Sequence, residues 1–199
     1  MSDEACRHEQ LSAYVLAGGQ SRRFGSDKAR ALLDGEPLVV RLTRQLKPMS
    51  RSVTVIAGQA DAYADLGLRT IADVHPGCGP MAGLHAALRD VGEGGGDWLL
   101  LCSCDMVMMR PTWLAALLGA RGEGGQAVAF RAERWHPFPG LYHRSLLEEV
   151  ERRLAGEALR MQGLLDAVGT GLALPSDWPS VAQANTPGAL ARVARDNRR

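Results

Sequence analysis

The sequence lacks the features of several large classes of protein. No apolar run approaches the ~18 residues that cross a bilayer; the longest, residues 98–104, has the length of a strand. Charges nearly balance, with 23 lysines and arginines against 22 aspartates and glutamates, so nothing indicates a surface that neutralises nucleic-acid phosphates. Four cysteines in 199 residues are too few for a disulfide framework, which favours a reducing cytoplasm. We therefore expect a cytoplasmic protein that binds neither membranes nor nucleic acid.

The distribution of apolar residues predicts one α/β domain. Residues 1–10 are polar and acidic, unlike a signal peptide, and are expected to form a flexible tail before a domain over residues 11–199. Apolar runs of strand length then alternate with segments of helical periodicity, and Asp34-Gly35 predicts a tight turn. The predicted strands are 13–16, 52–57, 68–71, 98–101 and 127–130, and the predicted helices are 38–46, 81–91, 112–118 and 145–154. This alternation predicts a single domain with a doubly wound, mostly parallel sheet.

The segment that follows the first predicted strand combines glycines with cations. The glycines are Gly18, Gly19 and Gly25, and the cations are Arg22, Arg23 and Lys28. Glycines let several backbone N–H groups approach a ligand closely, and such loops hold phosphates or a flat base. Open α/β sheets bind ligands at the carboxyl ends of their strands, where this segment begins. A phosphate-rich ligand is therefore favoured over a solvated surface turn.

Two common phosphate-binding motifs do not fit this segment. A Walker loop requires Gly-Lys-Ser/Thr, whereas Lys28 lies three residues beyond Gly25 and is followed by Ala29. The dinucleotide fingerprint Gly-x-Gly-x-x-Gly is absent as well. Neither of these two motifs therefore explains the segment.

A single carboxylate ends the most apolar strand. Asp105 follows the run Trp98 to Cys104, where a buried acid is costly unless a cation accompanies it. Magnesium, which prefers oxygen ligands and bridges to phosphates, is one suitable partner; the alternative is a simple cap at the strand end. Cys102 and Cys104 alternate along this strand and are expected to be core residues, because the sequence has no second Cys or His pair at zinc-ligand spacing.

The whole segment from Leu16 to Lys28 resembles the signature Leu-Ala-Gly-Gly-x-Ser-x-Arg-x-Gly-x-Asp-Lys of the small nucleotidyltransferases. Its Gly18-Gly19 pair is most similar to the molybdenum cofactor guanylyltransferases. Asp73, the stretch 77–84 and Asp105 also follow the family's order, and 77–84 resembles its Gly-Pro-Leu-x-Gly-Ile segment. One departure is that the family usually has Asp-x-Pro where this chain has Asp105-Met106-Val107.

The resemblance implies a Rossmann-like nucleotidyltransferase fold and a set of site residues. GTP would contact Leu16, Ala17, Gly18, Gly19, Lys28, Asp73 and Asp105. Lys28, Arg23 and Asp105 would be catalytic, with Asp105 holding Mg²⁺. The acceptor would lie near Gly79, Gly83, His136 and Asn185. For three of these the residues alone allow other roles: Asp73 as a loop cap, His136 as a packed loop histidine, and Asn185 in the stretch Asn185-Thr186-Pro187 that begins a terminal helix.

The implied reaction transfers GMP from GTP to the terminal phosphate of molybdenum-bound molybdopterin, with pyrophosphate as the second product. No Ser-His-Asp or Cys-His arrangement is evident, and none is needed, since the acceptor phosphate is itself a nucleophile. Two alternatives stay open: a related enzyme that uses CTP or another phosphorylated acceptor, and a nucleotide-binding module without turnover. Transient contacts with proteins that deliver molybdopterin or mature molybdoenzymes are also expected.

Overall fold

The computed structural model describes residues 11–18, 27–122, 125–178 and 188. Within these residues the chain forms strands, α-helices and short 3₁₀ turns. The strands are β1 (Ser12–Leu16), β2 (Leu32–Leu33), β3 (Glu36–Pro37), β4 (Ser52–Ala57), β5 (Thr70–Ala72), β6 (Trp98–Ser103), β7 (Ala127–Arg131), β8 (Trp135–His143) and β9 (Gly169–Leu172). The helices are α1 (Leu38–Leu46), α2 (Gly79–Glu93), α3 (Pro111–Gly119), α4 (Leu147–Ala155) and α5 (Met161–Val168). None of the helices in the described ranges has the length and apolarity to span a membrane.

Seven strands form one sheet in the order β5-β4-β1-β6-β8-β7-β9. The strands β1, β4, β5 and β6 run parallel, as predicted, whereas β8 runs antiparallel to β6 and β7. Residues 99–102 of β6 are fully buried, as expected of a central strand covered on both faces. The single-domain α/β prediction with a mostly parallel sheet is confirmed.

The reversed strand β8 begins at the same edge of the sheet at which β1 and β6 end. Its register pairs Leu101 with Gly140 and Trp98 with His143. The first residues of β8, including His136, therefore lie toward the carboxyl end of β6. This edge of the sheet, which we call the carboxyl edge, collects the ends of β1, β4, β5 and β6 and the start of β8.

Helix periodicity predicts α1 and α2 closely. In α1 the buried residues follow the 3.6-residue repeat, with Leu38, Leu42 and Leu46 all at most 1% exposed. The predicted turn at Asp34-Gly35 joins β2 to β3, and both residues have positive φ, 53° and 83°. Leu33 of the small β2–β3 hairpin packs with Leu38 of α1 and with Val107.

Several boundaries differ from the predictions. The strand expected at 68–71 lies at Thr70–Ala72, and the helix expected at 145–154 starts as the 3₁₀ turn Arg144–Leu146 before α4. The stretch around His136, expected to be a loop, is β8. Its prolines argue against a strand, but they fall where the pairing with β7 shifts register, between Ala129/Phe130 and their partners Gly140 and His136. Helix α5 and strand β9 were not predicted. The expected tail, residues 1–10, and the terminal helix lie outside the described residues, Gly188 excepted.

Candidate active site

The backbone at the carboxyl edge is tied across three strands. The amides of Ala17 and Gly18 both donate to the carbonyl of Ile56, at 2.9 and 3.1 Å. The amide of Cys104 donates to the carbonyl of Leu16 at 2.9 Å. Strand β1 is therefore fixed to its neighbours β4 and β6 where the predicted nucleotide segment begins, and the two amides of Ala17 and Gly18 are already used within the protein.

Lys28 and Asp105 form an ion pair at this edge. The Nζ of Lys28 lies 2.8 Å from Oδ2 of Asp105, and only 14% and 10% of the two side chains are exposed. Lys28 opens the 3₁₀ turn Lys28–Arg30, whose N-cap Asp27 accepts a hydrogen bond from the amide of Ala29 at 2.9 Å. The expectation that a buried acid after β6 needs a cation is met by this lysine, 77 residues away in sequence.

The second carboxylate oxygen of Asp105 differs from the first because it makes no hydrogen bond. Its Oδ1 is buried and has no hydrogen-bond partner, although a buried carboxylate oxygen normally finds one. In the described part of the chain, no group of three or more acidic, histidine or cysteine side chains is arranged to hold a metal ion. A ligand or ion that contacts Asp105 at Oδ1 would complete its coordination without displacing Lys28.

Asp73 and the start of α2 lie on the same edge. The amide of Asp73 donates to the carbonyl of Ala57 at 2.7 Å, and its Oδ1 accepts from the amide of His75 at 2.8 Å. This is the loop-cap contact allowed for Asp73, and it leaves open a role of the side chain toward nucleotide. Gly77 and Gly79 adopt left-handed backbone, with φ of 86° and 60°, which turns the chain into α2.

Gly83 and His136 have packing contacts of their own. A Cβ on Gly83 would lie 2.3 Å from Cδ2 of Leu16, so α2 approaches β1 through a residue without a side chain. The His136 ring lies 5.3 Å from that of Trp178, and burial, assisted by Arg134, lowers its pKa. Contact of either residue with the acceptor stays a prediction, as do the assignments of Gly19, Arg23 and Asn185, which lie outside the described residues.

The cysteine within β6 and the one that directly follows it are both buried, as predicted. Cys102 and Cys104 are 0% and 7% exposed. Burial raises the pKa of Cys102 well above its ordinary value and that of Cys104 to about 12. Neutral thiols of this kind are inert core residues.

The roles of two residues near Lys28 and Asp105 could not be predicted from the sequence. Asp27 belongs to the signature segment, yet its capping role was not anticipated. Tyr63, which lies 36 residues from Asp27 in sequence, contacts the Asp27 carboxylate through its hydroxyl. No local pattern marks a tyrosine of this kind, because its importance comes only from the approach of two distant segments.

The chain is similar to known proteins in sequence and in fold. The model of the MobA-like NTP transferase domain matches residues 13–170. The chain belongs to this family. A molybdenum cofactor guanylyltransferase of Cereibacter sphaeroides is 35% identical over 186 residues, which cover 92% of this chain and 95% of that protein. A probable molybdenum cofactor guanylyltransferase of Opitutus terrae is 34% identical over 159 residues, 79% of each protein.

The fold of this MobA-like domain also matches solved structures. The crystal structure of molybdopterin-guanine dinucleotide biosynthesis protein A from Archaeoglobus fulgidus superposes with a TM-score of 0.81 and covers 94% of this chain and 99% of its own. At 22% identity that likeness establishes the fold, while the family rests on the sequence match. The nucleotidyltransferase fold implied by the signature segment is thus confirmed.

Proposed function

We propose that this MobA-like domain transfers GMP from GTP to the terminal phosphate of molybdenum-bound molybdopterin. The observation that carries the proposal is the Lys28–Asp105 pair with its unpartnered Oδ1, set where β1 and β6 end. This is the edge of a parallel sheet at which nucleotides bind. The names of the relatives support guanine as the base and molybdopterin as the acceptor.

The chemistry requires alignment and charge neutralisation more than acid–base catalysis. An oxygen of the acceptor phosphate forms a bond to the α-phosphorus of GTP, the bond from that phosphorus to the bridging oxygen breaks, and pyrophosphate leaves with the electron pair. Lys28, with Arg23 as a second cation, offsets the charge that grows on the departing pyrophosphate. The segment from Leu16 to Gly19 and Asp73 orient the nucleotide for this attack.

The residues fit a magnesium ion. Asp105 offers a buried, unpartnered carboxylate oxygen at Oδ1, and magnesium in nucleotide enzymes commonly takes one or two carboxylates and completes its shell with water and substrate phosphates. When bound, the ion would polarise the phosphate oxygens and neutralise charge on the leaving group. Lys28 already holds Oδ2, so it keeps the carboxylate oriented and compensated before the nucleotide arrives.

Two other functions can be separated from this one. The family fold accommodates different nucleotides, and the guanylyltransferase names of the relatives favour GTP over CTP. A binding module without turnover would have no need for a buried lysine–carboxylate pair with an unpartnered carboxylate oxygen at the carboxyl edge. In the proposed role the protein works in the cytoplasm and meets proteins that deliver molybdopterin or receive the product.

A nucleotide panel tests the proposal. Purified protein with molybdenum-bound molybdopterin is given GTP, CTP, ATP or UTP, with and without Mg²⁺, and pyrophosphate release is measured. We expect release with GTP and Mg²⁺, and GTP binding at least about tenfold tighter than CTP by calorimetry. Equal affinities would remove the guanine assignment, and nucleotide binding without release would favour the binding module.

A further inference from the structure

Tyr63 occupies a buried position between β4 and β5. It immediately precedes the 3₁₀ turn Ala64–Leu66, and 3% of the residue is exposed. Its hydroxyl lies 3.0 and 3.3 Å from Oδ2 and Oδ1 of Asp27 and 3.3 Å from the carbonyl oxygen of Ala17. One phenolic proton therefore faces acceptors from two different parts of the chain.

Those two acceptors bracket the glycine- and arginine-rich segment. Ala17 directly follows β1, and Asp27 directly precedes Lys28, so residues 18–26 run between two points that share one hydroxyl. Burial, together with the charge of Asp27, raises the pKa of Tyr63. The phenol thus stays protonated and remains a donor across the physiological range.

A second link joins the turn Lys28–Arg30 to the residues around Tyr63. The guanidinium of Arg30 donates to both oxygens of Asp65 at 2.7 Å and to the carbonyl of Ala62 at 2.8 Å. It also lies 5.2 Å from the centre of the Tyr63 ring. The turn Lys28–Arg30 is therefore held against residues 62–65, and Lys28 begins that turn. The position of its ammonium beside Asp105 depends on where this turn sits.

We propose that Tyr63 is a positioning residue of the nucleotide site: its hydroxyl holds Ala17 and Asp27 together and so fixes both ends of the signature segment and the start of the Lys28 turn. The role in turnover rests on the proposed function. The holding of the segment does not, because it follows from hydrogen bonds within the chain.

The variant Tyr63→Phe removes the hydroxyl and keeps the ring. The chain offers a matched control in Tyr14→Phe, since the hydroxyl of Tyr14 is also buried and donates to a carboxylate, Asp90, at 2.8 Å. Tyr14 points from the middle of β1 toward α2, away from the residues assigned to the nucleotide. Melting curves of both variants and of the wild type establish that the comparison is made on folded protein.

Amide hydrogen exchange and steady-state kinetics are then measured on the three proteins. We expect peptides covering residues 27–31, where the amides of Ala29, Arg30 and Ala31 donate to Asp27 and Lys28, to exchange about tenfold faster in Tyr63→Phe. This is the factor expected from the loss of one charge-assisted hydrogen bond, and the same peptides should be unchanged in Tyr14→Phe. We also expect kcat/KM for GTP to fall about tenfold in Tyr63→Phe alone. In a Lys28→Ala background the same change should no longer alter kcat, because the lysine that it positions is gone.

The outcomes separate the two proposals. Unchanged exchange of residues 27–31 in Tyr63→Phe, or the same change in Tyr14→Phe, overturns the positioning role whatever the activity. Failure of the wild-type protein to transfer GMP overturns the proposed function whatever the exchange. A kcat effect of Tyr63→Phe that persists undiminished in the Lys28→Ala background contradicts the route through Lys28.

Discussion

Gly83 on α2 lies so close to Leu16 on β1 that a Cβ at this position would fall 2.3 Å from Cδ2 of the leucine. Leu16 is the last residue of β1, and its carbonyl accepts the hydrogen bond from Cys104 that ties β1 to the end of β6. The side chain of Leu16 therefore fills the space that a Cβ at position 83 would need, at the end of the strand that leads into the signature segment. This packing explains the glycine whether or not the acceptor touches it.

Gly83→Ala should destabilise the fold and weaken GTP binding. The leucine must leave its position in a packed environment, at a cost of about 1–3 kcal/mol. Gly92→Ala is the matched control, because it lies in the same helix and a Cβ there has no neighbour within 4 Å; alanine should be neutral or stabilising by up to about 1 kcal/mol. Urea unfolding and GTP titration of both variants decide the matter, and equal stability and affinity would contradict the packing role.

Lys28→Ala should lower both stability and turnover. It leaves the Asp105 carboxylate buried without its cation, which costs about 3 kcal/mol or more. If Lys28 stabilises charge that grows during transfer, kcat should fall more than GTP affinity does. Chemical denaturation, GTP titration and pyrophosphate release give the three quantities. Normal turnover per folded molecule would refute the catalytic role.

Asp105→Asn keeps the volume of the side chain and removes its charge. Turnover should fall by roughly 10²-fold or more, equivalent to ~2.7 kcal/mol of barrier, with a shift to higher Mg²⁺ requirement. The stability loss should be smaller than for Lys28→Ala, because the freed lysine has a flexible stem that can carry its ammonium to water. In the double variant the two stability losses should not add, since both remove the same pair. Wild-type Mg²⁺-dependent turnover in Asp105→Asn would exclude this residue as the metal ligand.

Acid should destabilise the protein through His85. The residue is 3% exposed and its Nδ1 is buried without a partner, while Nε2 lies 3.4 Å from Glu151 and the His75 ring packs edge-on at 4.7 Å. Burial lowers the pKa of His85, Glu151 opposes this, and His75 and Arg89 add to it. Below pH ~6.5, the ordinary pKa of histidine, the unfolded chain therefore binds more protons here than the folded one, so the free energy of unfolding decreases as pH falls.

His85→Leu should flatten that dependence between about pH 7 and pH 5, as measured by urea unfolding at each pH. His136→Gln serves as a second variant, because burial and Arg134 lower the pKa of His136 in the same direction; it should remove a further part of the slope. An undiminished slope in His85→Leu would show that other groups cause the acid sensitivity.

The sequence predicts the parts of this fold whose cause is local. The apolar runs of β1, β4 and β6 and the periodicity of α1 and α2 are visible in one dimension, and each was found close to its actual bounds. Strand β8 was missed because its two prolines argue against a ladder, and only the shifted register opposite β7 accommodates them. Strand β9 was missed for a related reason: its sequence Gly-Thr-Gly-Leu has little strand propensity, and the ring of Trp135 packs over both glycines.

The candidate site likewise contains residues that the sequence reveals and residues that it does not. Lys28 and Asp105 stand out in sequence because a cation-rich loop and a strand-end acid are recognisable patterns, and the structure brings them to 2.8 Å. Tyr63 and the packing role of Gly83 could not be found, because each depends on a partner tens of residues away. The sequence carries no mark of which tyrosine or glycine will have such a neighbour.

Because β8 is reversed, the two ends of the sheet differ in the changes that they can accept. The turn at 132–134 between β7 and β8 lies at the carboxyl edge. The connection at 94–97 lies at the opposite end of the sheet, where the amide of Arg144 donates to the carbonyl of Asp97 at 2.7 Å. Loops inserted at 132–134 would therefore reshape the carboxyl edge beside His136, the proposed acceptor side, without touching β1 or β4. Tags or fused domains placed at 94–97 would lie far from the carboxyl edge, where we propose that both substrates bind. One end of the molecule is thus suited to changing specificity and the other to carrying cargo.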